Sequence, residues 1–408
     1  MIDKAKSILS AFASQIPQTV FGPERVAYIA ENIGKISDED KLILLKLANH
    51  ILSKMLDSQA SDIELGGHAT NEYVWLRIFG AKNPVHELPK LTTDESCLLI
   101  MSLLNQNQLK HLLVSRNLDF SYSFRYEKEN KDVRFRADTY YDLDTLALNM
   151  RSISAETRPI ESFGFHPFAV KSMSHTFIKF GLSLITGITG SGKSTTLDSI
   201  IDNHNKTDNA HIVIVAAPIE YVHKSNKCLI RHREVGRDVL SFKEGVIQAL
   251  RQDPDIIVIG EMRDPETILA ALEVTDTGHK VFSTLHTSSA VESIDRIIAE
   301  VHANEQERVR NRLADVLTSV VSQKLVPSLD GKRALAKEVL IVTPSVKAAI
   351  KNDNTSEIYM MINQGAPQGM ITLEQDLIRL FRERKISKEM AVSYANNKTR
   401  IVQMLKAI

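Results

Sequence analysis

Residues 187–195 read GITGSGKST, placing Gly187, Gly192, Lys193 and Ser194 at the G-x-x-x-x-G-K-[ST] spacing. That spacing suits a polyphosphate. Glycines let successive backbone N–H groups turn inward, a lysine offers a mobile charge to the outer phosphates, and a serine hydroxyl takes a place on Mg2+. The loop residues expected at the nucleotide are Gly187, Thr189, Gly190, Ser191, Gly192, Lys193, Ser194 and Thr195. A second chemical group follows at 253–267, DPDIIVIGEMRDPET. Its β-branched run Ile256–Ile259 ends in Gly260-Glu261. A carboxylate at the mouth of such a strand can polarise an attacking water or reach Mg2+ through water. The third is TGHKVFSTLHT at 277–287, where a strand Val281–Thr284 delivers His286 toward the same place. A lone histidine there reads equally as a nucleotide sensor or as a structural residue. Together these groups imply binding of a nucleoside triphosphate.

The elements that must position them are also legible. Leu182–Thr186 reads as a strand entering the loop, and Leu197, Ile200 and Ile201 keep helical spacing after it. The loop is thereby set at a helix N-terminus, where the dipole favours phosphate. Asp264, Pro265 and Glu266 have the character of cap, first helical residue and first-turn acid, with Gly278 as terminator. Strands at 182–186, 212–215, 255–259, 281–284 and 337–342, with helices between several of them, predict a mainly parallel sheet covered on both faces. Ligands then sit beyond the strands' C-terminal ends. This α/β domain is expected over 169–342.

Before it, residues 1–158 read as a mixed α+β domain with an N-terminal helical extension. Ser37 and Asp38 open a helix whose apolar side is expected to carry Leu42, Leu45, Ile51, Leu52 and Met55. Tyr73–Leu76 and Val133–Arg136 look like strands. The aperiodic, proline-bearing stretch AETRPIESFGFHPF (155–168) reads as a linker, centred on 159–168. Residues 343–408 look helical, with a stripe of Leu373, Leu377, Leu380 and Phe381 and a further start at Ser387.

Composition narrows the function. Fifty basic side chains balance fifty acidic ones in 408 residues, so no global field draws the chain to nucleic acid or anionic lipid. The aromatic-basic groove of a nucleic-acid translocase is missing, and no direct nucleic-acid contact is expected. Cys97 and Cys228 lie far apart without a metal-type spacing and read as reduced structural thiols. No stretch approaches the ~18 uninterrupted apolar residues of a membrane span. A cytoplasmic location is expected.

The phosphate loop, IGEMRDPET, TGHxVFxTLHT, REVGRD (233–238) and PIEYVH (218–223), in that combination, resemble the type II/IV secretion ATPase superfamily. ASDIELGG (60–67), LDFSYSF (118–124), TPSVKAAIKND (343–353) and QGMITLEQDL (368–377) extend the likeness over about residues 50–390. Within it the chain is most similar to pilus-retraction (PilT-like) ATPases and to conjugation and type IVB secretion (DotB/TraJ-like) ATPases. The resemblance implies a PAS-like N-terminal domain, a RecA-like P-loop ATPase domain and a ring-shaped homo-hexamer. It also implies ATP and Mg2+ as ligands, and an inner-membrane platform protein as the partner that holds the motor at the membrane. By the same resemblance Lys193 binds phosphate, Glu261 is the catalytic base and His286 belongs to a histidine box. Ser194 and Glu261 serve the metal, and Arg134, Arg136 and Arg151 are arginines able to reach a γ-phosphate in the ring.

One departure stands out. The family carries acids just before P-I-E, whereas this chain has Ala216 and Ala217, which can do neither acid–base nor metal work. The expected function is therefore an ATPase motor for pilus retraction or a related secretion or conjugation system. The alternative is a nucleotide-binding regulatory or structural subunit of the same machinery, with weak hydrolysis because of Ala216 and Ala217.

Overall fold

The computed structural model describes residues 1–153 and 157–407, so Ala155 and Glu156 of the linker reading lie outside the described residues. The chain forms two compact units. One comprises Met1–Ala155 with Ala217–Tyr221 and Gly236–Asp238; the other comprises Glu156–Ala216, Val222–Val235 and Val239–Ile408.

The first unit is built on six strands: β1 (Asp62–Gly66), β2 (Val74–Ile78), β3 (Ala81–Val85), β4 (Asn117–Tyr126), β5 (Lys131–Asp142) and β6 (Thr145–Ile153). They form one antiparallel sheet in the order β3-β2-β1-β6-β5-β4. Alternation along β5 sets the two faces: Val133, Phe135 and Ala137 are buried, and Arg134 and Arg136 occupy the opposite side. The register sets Arg136 against Arg151 of β6, and Arg151 against Asp62 of β1. The helix Asp38–Asp57 starts where expected, with the Ser37 hydroxyl accepting from Asp40 N–H at 3.1 Å. Its buried stripe differs from the expected one. Leu44, Leu47, Ala48, Ile51, Leu52 and Met55 face the core, whereas Leu42 is exposed and Leu45 half-buried. Residues before it are ordered too, as helices Ile2–Ser14 and Pro23–Asn32, because Ala5, Leu9, Val26 and Ile29 join the same core.

The second unit holds β7 (Gly181–Thr186), β8 (His211–Ala216), β9 (Leu229–Glu234), β10 (Ile256–Ile259), β11 (Lys280–Leu285), β12 (Leu317–Pro327) and β13 (Arg333–Ile341). Their order is β13-β12-β7-β11-β10-β8-β9, parallel throughout except for β13. All five expected strands are present. Two were not anticipated. β9 is a charged edge strand, and β12 interrupts its apolar run with Thr318, Ser319, Ser322 and Gln323. The half-buried Thr318 and buried Ser322 hydroxyls sit there at little cost because β7 supplies partners: Ser183 pairs with Thr318 at 2.9 Å and Thr186 with Ser322 at 2.7 Å.

The helix Pro265–Asp276 has Asp264 as its cap, with carboxylate oxygens accepting from Thr267 N–H (2.8 Å) and hydroxyl (2.9 Å). Gly278 follows at φ 98°. Part of the stretch read as linker is regular, with a 3-10 turn Ile160–Phe163 and a helix Pro167–Met173 that uses its proline at the first helical position. At the C-terminal side, the stripe Leu373, Leu377 and Leu380 is buried beneath helices Lys388–Tyr394 and Lys398–Lys406, with Phe381 packed beside it.

Candidate nucleotide site

Strand order explains how distant motifs meet. β11 lies between β7 and β10, so the phosphate loop, His286 and Glu261 leave three neighbouring strands at the same end of the sheet. The result is a chain of contacts. Lys193 Nζ lies 3.5 Å from His286 Nδ1, His286 Nε2 lies 2.9 Å from Glu261 Oε1, and Arg263 Nε donates to Glu261 Oε2 at 2.7 Å. Burial, and then the Lys193 ammonium, push the His286 imidazole below its ordinary pKa. A neutral ring in this position carries its proton on Nε2, donating to Glu261 and accepting from Lys193 through Nδ1. Arg296 donates to the His286 carbonyl at 3.2 Å and steadies the turn behind it.

The loop itself is braced from β12. The Gln323 amide nitrogen donates to the Ser191 carbonyl at 2.8 Å, and its amide oxygen accepts from the Thr196 hydroxyl at 2.9 Å. Sequence reasoning missed Gln323, because nothing in its own neighbourhood marks it; only the pairing of β12 with β7 brings it to the loop. Gly187 is required by the same crowding. A Cβ there would fall on Ser191 Oγ and within 2.5 Å of the Gln323 carbonyl, and φ is 151°. Lys193 donates to the carbonyls of Gly187 (2.8 Å) and Ile188 (3.2 Å), folding back over its own loop.

The residues present fit a polyphosphate. The helix Lys193–Thr207 begins at Gly192, in a left-handed conformation, with no side chain capping its first amides. Ser191 Oγ is buried without a hydrogen-bond partner. Ser194 is half-buried on the first turn, Thr195 is exposed, and Gly190 has open space around it.

The three arginines lie in the first unit, and each has a partner there. Arg134 Nε donates to the Ile219 carbonyl at 2.6 Å, Arg136 stands 3.4 Å from Asp119 and 3.6 Å from Glu220, and Arg151 pairs with Asp62 at 2.7 Å. β8 ends at Ala216, so the position that the family fills with acids presents methyl groups.

A family model described as type II/IV secretion system protein matches residues 37–404. The chain belongs to that family. It is 40% identical over 304 residues to the type IV pilus retractation ATPase PilT of Pseudomonas aeruginosa, covering 74% of this chain and 86% of that protein. Among solved structures, the pilus retraction motor PilT with bound ADP superposes with a TM-score of 0.75 at 35% identity, covering 87% of this chain and 98% of that one. The Legionella pneumophila ATPase DotB gives 0.74 at 27% identity, over 84% of this chain and 93% of its own. The type II/IV secretion protein described here is thus a nucleotide-binding motor ATPase, with an N-terminal α+β domain of PAS-like kind followed by a RecA-like P-loop domain. Among the described residues no helix is long and apolar enough to cross a membrane.

Proposed function

We propose that this chain works as a homo-hexameric, cytoplasmic motor that hydrolyses ATP to drive pilus retraction or a related secretion or conjugation machine. An inner-membrane platform protein would hold it at the membrane. The observation that carries the reading is the Lys193–His286–Glu261 chain at three adjacent strand ends, beside an uncapped helix N-terminus and the orphaned Ser191 hydroxyl. In this reading the amides of 189–195 and Lys193 bind the phosphates of ATP, exchanging the lysine's contacts with its own loop for phosphate oxygens. Glu261 takes a proton from the attacking water, and His286 fixes the carboxylate's orientation. Ser194 and Glu261 would hold Mg2+, which would supply charge neutralisation at the phosphates. Arg134, Arg136 and Arg151 are the candidates to meet the γ-phosphate in the ring, where a guanidinium binds phosphate oxygens bidentately. Kinship to PilT supports retraction, and the family's description as a type II/IV secretion system protein supports secretion.

Lys193→Ala tests the reading. Loss of nucleotide binding or turnover, with the associated motility or transfer, is expected; an undiminished ATPase rate rejects it. The alanines at 216 and 217 favour a second version, slow hydrolysis in a mainly regulatory subunit. A negligible native rate that rises strongly in the A216E/A217D variant would select that version.

A further inference from the structure

The turn after β10 carries a second charged side chain beside Glu261. Its backbone is pinned on both sides: Gly260 N–H donates to the Val215 carbonyl at 2.8 Å, Met262 N–H to the Thr284 carbonyl at 3.2 Å, and the Thr284 hydroxyl to the Gly260 carbonyl at 2.7 Å. Met262 is buried as an anchor. Both Glu261 oxygens are engaged, Oε1 by His286 and Oε2 by Arg263. The two partners differ in freedom. His286 is also tied to Lys193 and held through its carbonyl by Arg296, whereas the Arg263 side chain is 59% exposed and Glu261 is 16% exposed.

We propose that Arg263 is a latch on Glu261, a positioning residue that occupies Oε2 while the site is at rest and is displaced when the polyphosphate arrives. The inference rests on the reading of Glu261 as the base. The trigger is chemical: a triphosphate brings several anionic oxygens that compete with Glu261 for the cation. Release frees Oε2 to accept a proton from water. The water oxygen then bonds to the γ-phosphorus, the bond from that phosphorus to the bridging oxygen breaks, and ADP leaves with that electron pair.

The experiment uses the full chain and compares R263Q, R263K, E261Q and the E261Q/R263Q double variant in steady-state ATPase assays, with ATP as the titrated ligand. R263Q is expected to raise kcat about two- to five-fold with KM little changed, which is the population shift available from losing one largely exposed ion pair. R263K, which keeps the cation, stays near the native rate, and the double variant is as inactive as E261Q. A fall in kcat for R263Q overturns the latch, because the arginine then assists the transition state. A rise in KM with kcat unchanged overturns it, because the arginine then serves only the bound nucleotide and does not restrain Glu261. An R263K rate elevated as far as R263Q overturns it in favour of packing. Activity retained in E261Q rejects the base reading itself, separately from the latch.

Discussion

Gln323→Leu removes both polar ends of a side chain that is 2% exposed, at nearly constant volume, and so isolates what the amide does for the phosphate loop. The native amide donates to the Ser191 carbonyl at 2.8 Å and accepts from the Thr196 hydroxyl at 2.9 Å. In the variant both groups lose that partner in a region closed to solvent, since Ser191 and Thr196 are 2% and 0% exposed. Each stranded group costs about 1–3 kcal/mol, so the loop conformation is raised by roughly 2–6 kcal/mol before relaxation. Part of this falls on global stability and part on the nucleotide, whose binding needs the amides already in place. If only about 1.4 kcal/mol of it reaches the binding equilibrium, affinity drops tenfold. Calorimetric titration with ADP measures the affinity, and urea unfolding measures the stability. The expected result is an affinity at least tenfold weaker. Native ADP affinity in a measurably destabilised variant would refute the brace, because the cost would then lie wholly outside the loop.

Two further predictions concern buried ionisable groups outside the site. Lys280 is fully buried with Nζ donating to the Ser172 carbonyl at 2.9 Å, and burial lowers its pKa from 10.5 to about 7. Between those values the unfolded chain binds more protons than the folded one, so stability rises with pH across that window; Lys280→Met should flatten the rise in urea midpoints measured from pH 7 to 10. Glu338 is the mirror case. Burial raises its pKa from 4.5 to about 7, so the folded chain holds the extra proton and stability falls as pH climbs through that range. Glu338→Gln keeps an acceptor for the Ala290 N–H, 2.8 Å from Oε1, and should abolish that fall, leaving the variant more stable than the native chain at pH 8.

What the sequence made legible follows from what local chain geometry enforces. The phosphate loop, the Glu261 strand end and the cap at Asp264 are each defined by residues within a few positions of one another, so their types and spacing report the structure directly. The contact between His286 and Glu261 was not legible in the same way, because it depends on β11 entering the sheet between β7 and β10, a non-local pairing. Gln323 was hidden by a related cause. β12 buries hydroxyls that find partners only across the sheet, so its pattern looks too polar for an interior strand. The shifted stripe of the helix Asp38–Asp57 has a simpler origin: Leu42 is apolar but lies one step outside the row formed by Leu44, Leu47, Ala48, Ile51, Leu52 and Met55.

The alanines at the end of β8 sharpen the demand on what remains. The strands flanking the loop end in Thr186-Gly187, Ala216-Ala217, Gly260-Glu261 and Leu285-His286, so among these four ends Glu261 carries the lone carboxylate. A carboxylate at 216 would have offered a second oxygen donor to a water or metal; a methyl group offers none. The approach is also close, since a Cβ on Gly260 would lie 2.8 Å from that of Ala216, which keeps the two strand ends tight and leaves Glu261 to project past them. In the proposed function, proton acceptance and metal contact would both fall to Glu261, whose two oxygens are already shared between His286 and Arg263. On the proposed reading of Glu261 as the base, with His286 holding its orientation, hydrolysis depends on how often Arg263 releases its oxygen.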